Sequence, residues 1–254
     1  MVVTLEAHGH IAVLTINRPE ARNAVNGAVA TGMEARLDEF EANAELWVGV
    51  VTGVGSTFSA GADLKEIAAG RGGDLGTARG GFAGLVTRKR SKPLIAAVNG
   101  PALAGGCEIA LACDMIVAAE NARFGLPEVK RSLLAAAGGL PRLPRAIGMA
   151  NAMEIILTGD PMSAERAYEL GLINRVTPEG KALEAAMELA ARVAANAPLA
   201  VQASRNIAAR AFTDDDATLW RDTFSEFQRI LQTEDAKEGP MAFIEKRAPR
   251  WKAR

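Results

Sequence analysis

Two glutamates stand where a carboxylate needs a reason. Glu108 lies one turn into an otherwise apolar run, Cys107-Glu108-Ile109-Ala110-Leu111-Ala112. A charge there is costly unless it is paired, hydrogen-bonded or used. Glu128 follows twenty residues later, at the end of Phe124-Gly125-Leu126-Pro127-Glu128. Two carboxyl groups whose environments differ are a recurrent acid/base arrangement, one giving a proton and the other taking it. On the residues alone, a solvated surface position for Glu128 is the competing reading.

Two further stretches are rich in small residues: Phe58-Ser59-Ala60-Gly61-Ala62-Asp63-Leu64-Lys65 and Asn99-Gly100-Pro101-Ala102-Leu103-Ala104-Gly105-Gly106. Each carries the chain from a strand end into a helix start. Gly and Ala let a ligand come close to backbone N–H groups there, and a helix start leaves those donors unpaired and favours negative charge. These are the ingredients of an oxyanion hole. Taken singly, each glycine reads as turn chemistry; Glu108 beside them shifts the balance.

Other chemistry lacks support. Gly53-x-Gly55-x-x-Phe58 misses the third glycine of a dinucleotide fingerprint, and no phosphate-loop motif or serine-nucleophile motif occurs. His8 and His10 flank a turn without ligand-spaced partners, so they read as exposed turn residues and no metal is expected. Cys107 and Cys113 have neither metal nor redox spacing and read as buried thiols in a reducing compartment.

The elements that must position these groups follow from the pattern. Residues 2–6 and 10–16 alternate as two short strands, and 26–43 carries Val29, Met33, Leu37 and Phe40 on one helical stripe. Buried strands are expected at 47–53, 93–100 and 115–119, with a helix at 105–114, giving a β-β-α rhythm. The Gly-rich stretch 70–84 is expected to be mobile. Beyond Gly138 the strand signal fades. Ser163 caps a helix over 164–170, Thr177 and Pro178 open a long helix burying Leu183, Met187 and Ala190, and further helices start at Pro198 and at 214–216. The expected division is a mixed α/β core over 1–195 and an all-helical region over 196–254.

The chain has 254 residues, with 49% hydrophobic, 5% aromatic, 25 Gly and a net charge of -1. It is long enough for a self-sufficient core. The charge balance argues against nonspecific nucleic-acid binding. No apolar stretch reaches the ~18 residues of a membrane span, and the N-terminus begins in strand pattern without a basic leader. A soluble cytoplasmic protein with no membrane or nucleic-acid partner is expected.

Taken together, INRPEARNA at 16–24, FSAGADLKE at 58–66, PLIAAVNGPALAGGCEIALACD at 93–114, FGLPEV at 124–129, LTGDPMSAERAYELGLINRV at 157–176 and FIEKR at 243–247 identify the chain as resembling the crotonase (enoyl-CoA hydratase/isomerase) superfamily. The resemblance implies a spiral of β-β-α turns with a C-terminal helical region that builds trimers or dimers of trimers. It implies an acyl-CoA thioester substrate, coenzyme A being part of that substrate and no separate cofactor being required. Ala62 and Gly105 would supply the oxyanion-hole amides, and Glu108 and Glu128 would match the two acids of hydratases. The resemblance also implies CoA contacts from Arg22, from Ala60, Asp63, Leu64 and Lys65, and from Lys246 near the ribose phosphate. For Lys65 and Lys246 a solvated surface charge is the alternative.

One departure stands out. Hydratases typically run Pro-Gly-Ala-Gly-Gly after the second glutamate, whereas here Leu134-Ala135-Ala136-Ala137-Gly138-Gly139 places Ala136 where a glycine would lie near the reacting water. Hydration of a 2-enoyl-CoA is the leading expectation. Enoyl isomerisation or carnitinyl-CoA-type dehydration comes second. An RNA-binding protein on the same scaffold, resting only on Arg88-Lys89-Arg90-Ser91-Lys92, comes last.

Overall fold

The computed structural model describes all 254 residues. β1 (Val3–His8) and β2 (Ile11–Ile16) form an antiparallel hairpin turned at Gly9, whose φ of 59° suits glycine. A crossover through α1 (Gly27–Ala42) leads to β3 (Val48–Gly53), parallel to β2. Asn26 caps α1 by accepting from the Val29 amide (3.0 Å), and Val29, Ala30, Met33, Leu37 and Phe40 are its buried face. The expected stripe is therefore the observed one.

Next come the short α2 (Leu64–Ala68) and the hairpin of β4 (Gly76–Thr77) and β5 (Gly81–Phe82). The stretch expected to be mobile thus has defined structure. Leu75 and Ala83 are buried in the main core, because the hairpin packs on α1.

The chain continues with β6 (Leu94–Val98), β7 (Ala102–Leu103), α3 (Gly105–Ala112), β8 (Met115–Ala119) and β9 (Arg123–Gly125), followed by a 3-10 turn at Pro127–Arg131. α4 (Gly139–Ile147), α5 (Met149–Thr158), β10 (Met162–Ser163), α6 (Ala164–Glu169) and β11 (Arg175–Thr177) complete the core. α7 (Ala182–Ala194), α8 (Pro198–Ala208), α9 (Asp216–Leu231) and α10 (Asp235–Ile244) follow.

Six strands form the main sheet in the order β1-β2-β3-β6-β8-β11, parallel throughout except at the first hairpin. Side chains alternate across it. Ala12, Leu14 and Ile16 join the larger core, while Ile11 and Val13 pack with Val50, Ile95 and Val117 under α7.

The second sheet makes the spiral visible. β7 pairs with β9, β9 with β10, and Ser59 bridges to Ala102, so Ser59, Ala102, Phe124 and Met162 lie side by side on successive passes of the chain. After the first two of these residues the chain enters a helix, and after Phe124 it enters the 3-10 turn. Ala62 and Gly105 are each three residues past a paired position, and Glu128 is four past Phe124. Repetition of the β-β-α unit brings residues from distant segments to one place.

Two expectations fail in the C-terminal third. Thr177 does not cap a helix: it ends β11, its hydroxyl donates to the Ala118 carbonyl (3.3 Å), and α7 begins only at Ala182. A three-residue polar strand carries no readable periodicity, yet it completes the edge beside β8. The buried face of α7 is Ala182, Ala186 and Ala190, while Leu183 is exposed, because small residues let the helix lie close on β3 and β6.

Candidate active site

The first wall is built around Asn23. Fully buried at φ 55°, it donates from Nδ2 to the carbonyls of Val54 (2.9 Å) and Thr57 (2.6 Å), and its Oδ1 accepts from the Arg18 amide (2.9 Å). Ser59 Oγ donates to the Asn23 carbonyl (2.9 Å) and accepts from the Gly61 amide (3.2 Å). Val25 N–H donates to the Gly61 carbonyl (2.7 Å) and Asp63 N–H to the Val25 carbonyl (2.9 Å). These bonds fix the chain on either side of Ala62, whose own amide donates to no protein acceptor.

The second wall is the start of α3. Ala104 holds φ 52° and ψ -129°, a conformation unusual for alanine, and its amide donates to the Gly125 carbonyl (2.9 Å). Such backbone costs about 1–3 kcal/mol and persists only when its surroundings hold it. Its effect is to turn the chain so that Gly105 opens the helix with an amide that no protein group accepts. Gly61 and Gly105 are in close approach, since a Cβ built on Gly61 would lie 2.6 Å from the Gly105 nitrogen. Two free amides, one at a helix N-terminus, are thus brought against each other's loops.

The carboxylates complete the arrangement. Glu108 is 2% exposed, and its Oε1 accepts from the amides of Ala137 (2.7 Å) and Gly139 (2.8 Å). Burial pushes its carboxyl up, opposed by those two amides and by the Arg142 charge. Oε2 has no protein donor. Glu128 receives no protein hydrogen bond, its Oε2 is buried, and burial together with the Glu108 charge pushes it up to about 6. The two acids therefore differ in kind: one is held by donors, the other is desolvated and unsupported.

The remaining predicted residues fall into separate settings, and no contact joins Lys246 to this centre. Ala60 donates its amide to the Arg22 carbonyl (3.0 Å), joining the two segments expected to contact CoA. Arg22, Leu64 and Lys65 are exposed. Asp63 is tied to Arg18 (3.1 Å) and caps α2 through the Lys65 amide (3.1 Å), so its carboxylate already serves the loop's own structure. Ala136 is exposed beside the Ala137 amide that holds Glu108. Lys246 is exposed just beyond α10, which packs on α9.

Sequence reasoning missed several groups. Arg18 and Asn23 lie inside the INRPEARNA motif, yet the partners that tie them to the rest of the wall, Asp63, Val54 and Thr57, are 31 or more residues away. Phe82 sits against Gly105, where an added Cβ would come within 2.5 Å of its ring. Arg142 donates to the carbonyls of Ala137 (3.2 Å) and Val86 (2.5 Å). A crevice of about 450 Å3 lies elsewhere, between the Gly53–Ser56 turn, Asn99 and Glu179.

The basic run at 88–92 is taken up internally. Arg88 pairs with Asp38 (2.5 Å), Arg90 with Asp114 (3.2 Å), and the buried Lys92 donates to the Phe40 and Asn43 carbonyls (2.7 Å each) at the end of α1. Only Lys89 is left exposed, so the feature behind the RNA-binding alternative is cement for the fold. Both cysteine thiols are pushed up to about 12 by burial. His10 is stacked on Trp47 at 3.5 Å, more enclosed than a bare turn residue. No helix is long and apolar enough to cross a membrane.

The family described as enoyl-CoA hydratase/isomerase matches residues 6–254. A mevalonyl-coenzyme A hydratase of Aspergillus fumigatus is 40% identical, covering 96% of this chain and 92% of that protein. A carnitinyl-CoA dehydratase of Salmonella typhi is 42% identical, covering 98% of both. The crystal structure of an enoyl-CoA hydratase from Mycobacterium tuberculosis H37Rv superimposes with a TM-score of 0.96 at 46% identity, covering 100% of this chain and 99% of that one. Agreement in sequence and in fold along almost the entire chain makes this protein a member of the enoyl-CoA hydratase/isomerase family.

Proposed function

We propose that the protein catalyses the reversible addition of water to a 2-enoyl-CoA thioester, giving a 3-hydroxyacyl-CoA. The observation that carries this reading is the contrast between the two acids beside two free amides. The thioester carbonyl accepts from the Ala62 and Gly105 N–H groups, which stabilise the enolate oxygen as negative charge develops. Glu108, held as a carboxylate by two amides, takes a proton from water while the water oxygen bonds to C3. Glu128, kept protonated more readily by its desolvated site, gives its proton to C2. Each acid ends in the other's starting state, and proton exchange with solvent resets the pair.

Dehydration is the same path reversed, so one site serves both directions and concentration decides between them. Isomerisation needs only one proton carrier, and the retention of both acids favours water chemistry. Arg22, Lys65 and Lys246 are the cations proposed to meet the CoA phosphates, with Ala60, Asp63 and Leu64 lining the approach. The exposed apolar side chains of α9, with Trp220 at 75% and Phe224 at 65% exposure, support a homo-oligomer, a trimer or a dimer of trimers, built by the region from 196 to 254 on the core of 1–195. Two free, high-pKa thiols support a reducing cytoplasmic setting.

The test is loss of 2-enoyl thioester absorbance over a panel of chain lengths, with product identified as the 3-hydroxyacyl thioester. Wild-type protein that consumes none of the panel sinks the reading. Conversion of 3-enoyl thioesters without hydration would favour the isomerase instead.

A further inference from the structure

Arg142 stands at the wrong end of its helix for a cation. It lies at the start of α4, whose N-terminal dipole disfavours positive charge, and burial pushes its pKa down. Something else must hold it there. Its guanidinium donates to the Ala137 carbonyl at 3.2 Å and to the Val86 carbonyl at 2.5 Å. It also covers Gly138, where φ is 99° and an added Cβ would lie 2.2 Å from Nη1. The turn it clamps is the one whose Ala137 and Gly139 amides hold Glu108.

We propose that Arg142 is a positioning residue that bolts the 137–139 turn to the 86 segment, aims the two amides at Glu108, and sets a half-buried positive charge behind that carboxylate. The inference rests on the hydratase reading above for the role of Glu108. The charged groups that face Glu108 are few. Arg142 from α4 favours its ionised form. Glu128, from the Pro127–Arg131 turn, is repelled by the Glu108 charge. The neighbouring Cys107 thiol, pushed up to about 12, stays neutral. Arg142 is thus the cation that keeps Glu108 ready to accept a proton.

Two measurements on R142M and R142K test this. The first is the pH profile of kcat; the second is the Glu108 carboxyl titration by 13C NMR, assigned with E108Q. In R142M, kcat is expected to fall by about tenfold to a hundredfold, the scale of removing a supporting partner of a functional group, with KM for the thioester nearly unchanged. Both the acid limb and the carboxyl titration move to higher pH. R142K keeps the charge but loses the two-carbonyl fork, so kcat falls while the titration stays in place. A folded R142M whose acid limb and carboxyl titration are unmoved overturns the proposal. Should R142M fail to fold, R142Q, which still donates to one carbonyl, carries the same readouts; failure of both to fold makes Arg142 purely structural and also overturns it. A wild-type enzyme inactive on every enoyl thioester would sink the proposed reaction alone, since the carboxyl titration needs no turnover.

Discussion

Gly61 has no room for a side chain against Gly105: a Cβ on Gly61 would stand 2.6 Å from the Gly105 nitrogen and 2.9 Å from the Leu103 carbonyl oxygen. Gly61 also holds φ 87°. The two loops bearing the free amides are therefore in backbone contact, which only glycine permits. Gly61→Ala should push the loops apart, lowering kcat by about 10²-fold, the scale of losing one oxyanion donor. Unfolding free energy should fall by ~1–3 kcal/mol through the left-handed strain. Steady-state kinetics and urea unfolding measure both, and an active, stable variant would contradict the role given to this contact.

Glu128→Gln separates chemistry from stability. As proton donor, Glu128 should contribute more than ~10²-fold to kcat with little change in KM, read from hydration rates at saturating thioester. Its stability effect has the opposite sign. Burial raises the folded pKa from the ordinary value of 4.5 to about 6. The native state thus binds more protons than the unfolded chain between those values, and wild-type stability falls as pH rises through that window. The glutamine, always neutral, escapes this loss. Melting temperatures of the two proteins should coincide near pH 4, diverge between 4.5 and about 6, and keep a constant gap above, with the variant higher.

Asn23 makes no contact with the proposed reacting atoms but anchors the first wall through three side-chain hydrogen bonds. Asn23→Ala leaves the Val54 and Thr57 carbonyls unsatisfied and should cost about 3 kcal/mol. Asn23→Gly fits φ 55° without strain, yet should lose nearly as much, because the hydrogen bonds and not the backbone carry the effect. Chemical denaturation of both distinguishes the causes; a glycine variant as stable as wild type would point to the backbone instead.

The apolar face of α9 predicts assembly. Phe224→Asp, alone or with Trp220→Asp, should reduce the mass seen by light scattering toward the single-chain 26.6 kDa, since an unpaired carboxylate does not tolerate burial between subunits. A wild-type protein that already runs at 26.6 kDa would remove the oligomer from the proposal.

Much of the local structure was legible in the sequence because its signals are local. Ser163 caps its helix with its own side chain, Pro198 opens α8, and the stripe of Val29, Met33, Leu37 and Phe40 is the buried face of α1. The motif order identified the family, and Glu108 was conspicuous because an apolar helix makes a carboxylate stand out. What the tertiary structure decided is which groups meet. Glu108 takes its donors from 29 and 31 residues away, Arg142 reaches a carbonyl 56 residues back, and Arg18 finds Asp63 across 45. No periodicity or capping rule spans such separations. The short strand ending at Thr177 and the internal use of Arg88, Arg90 and Lys92 were hidden for the same reason, since each depends on a neighbour that folding alone supplies. The residue types announced acid/base chemistry; the stacking of Ser59, Ala102 and Phe124 on successive spiral turns brought the groups for it together.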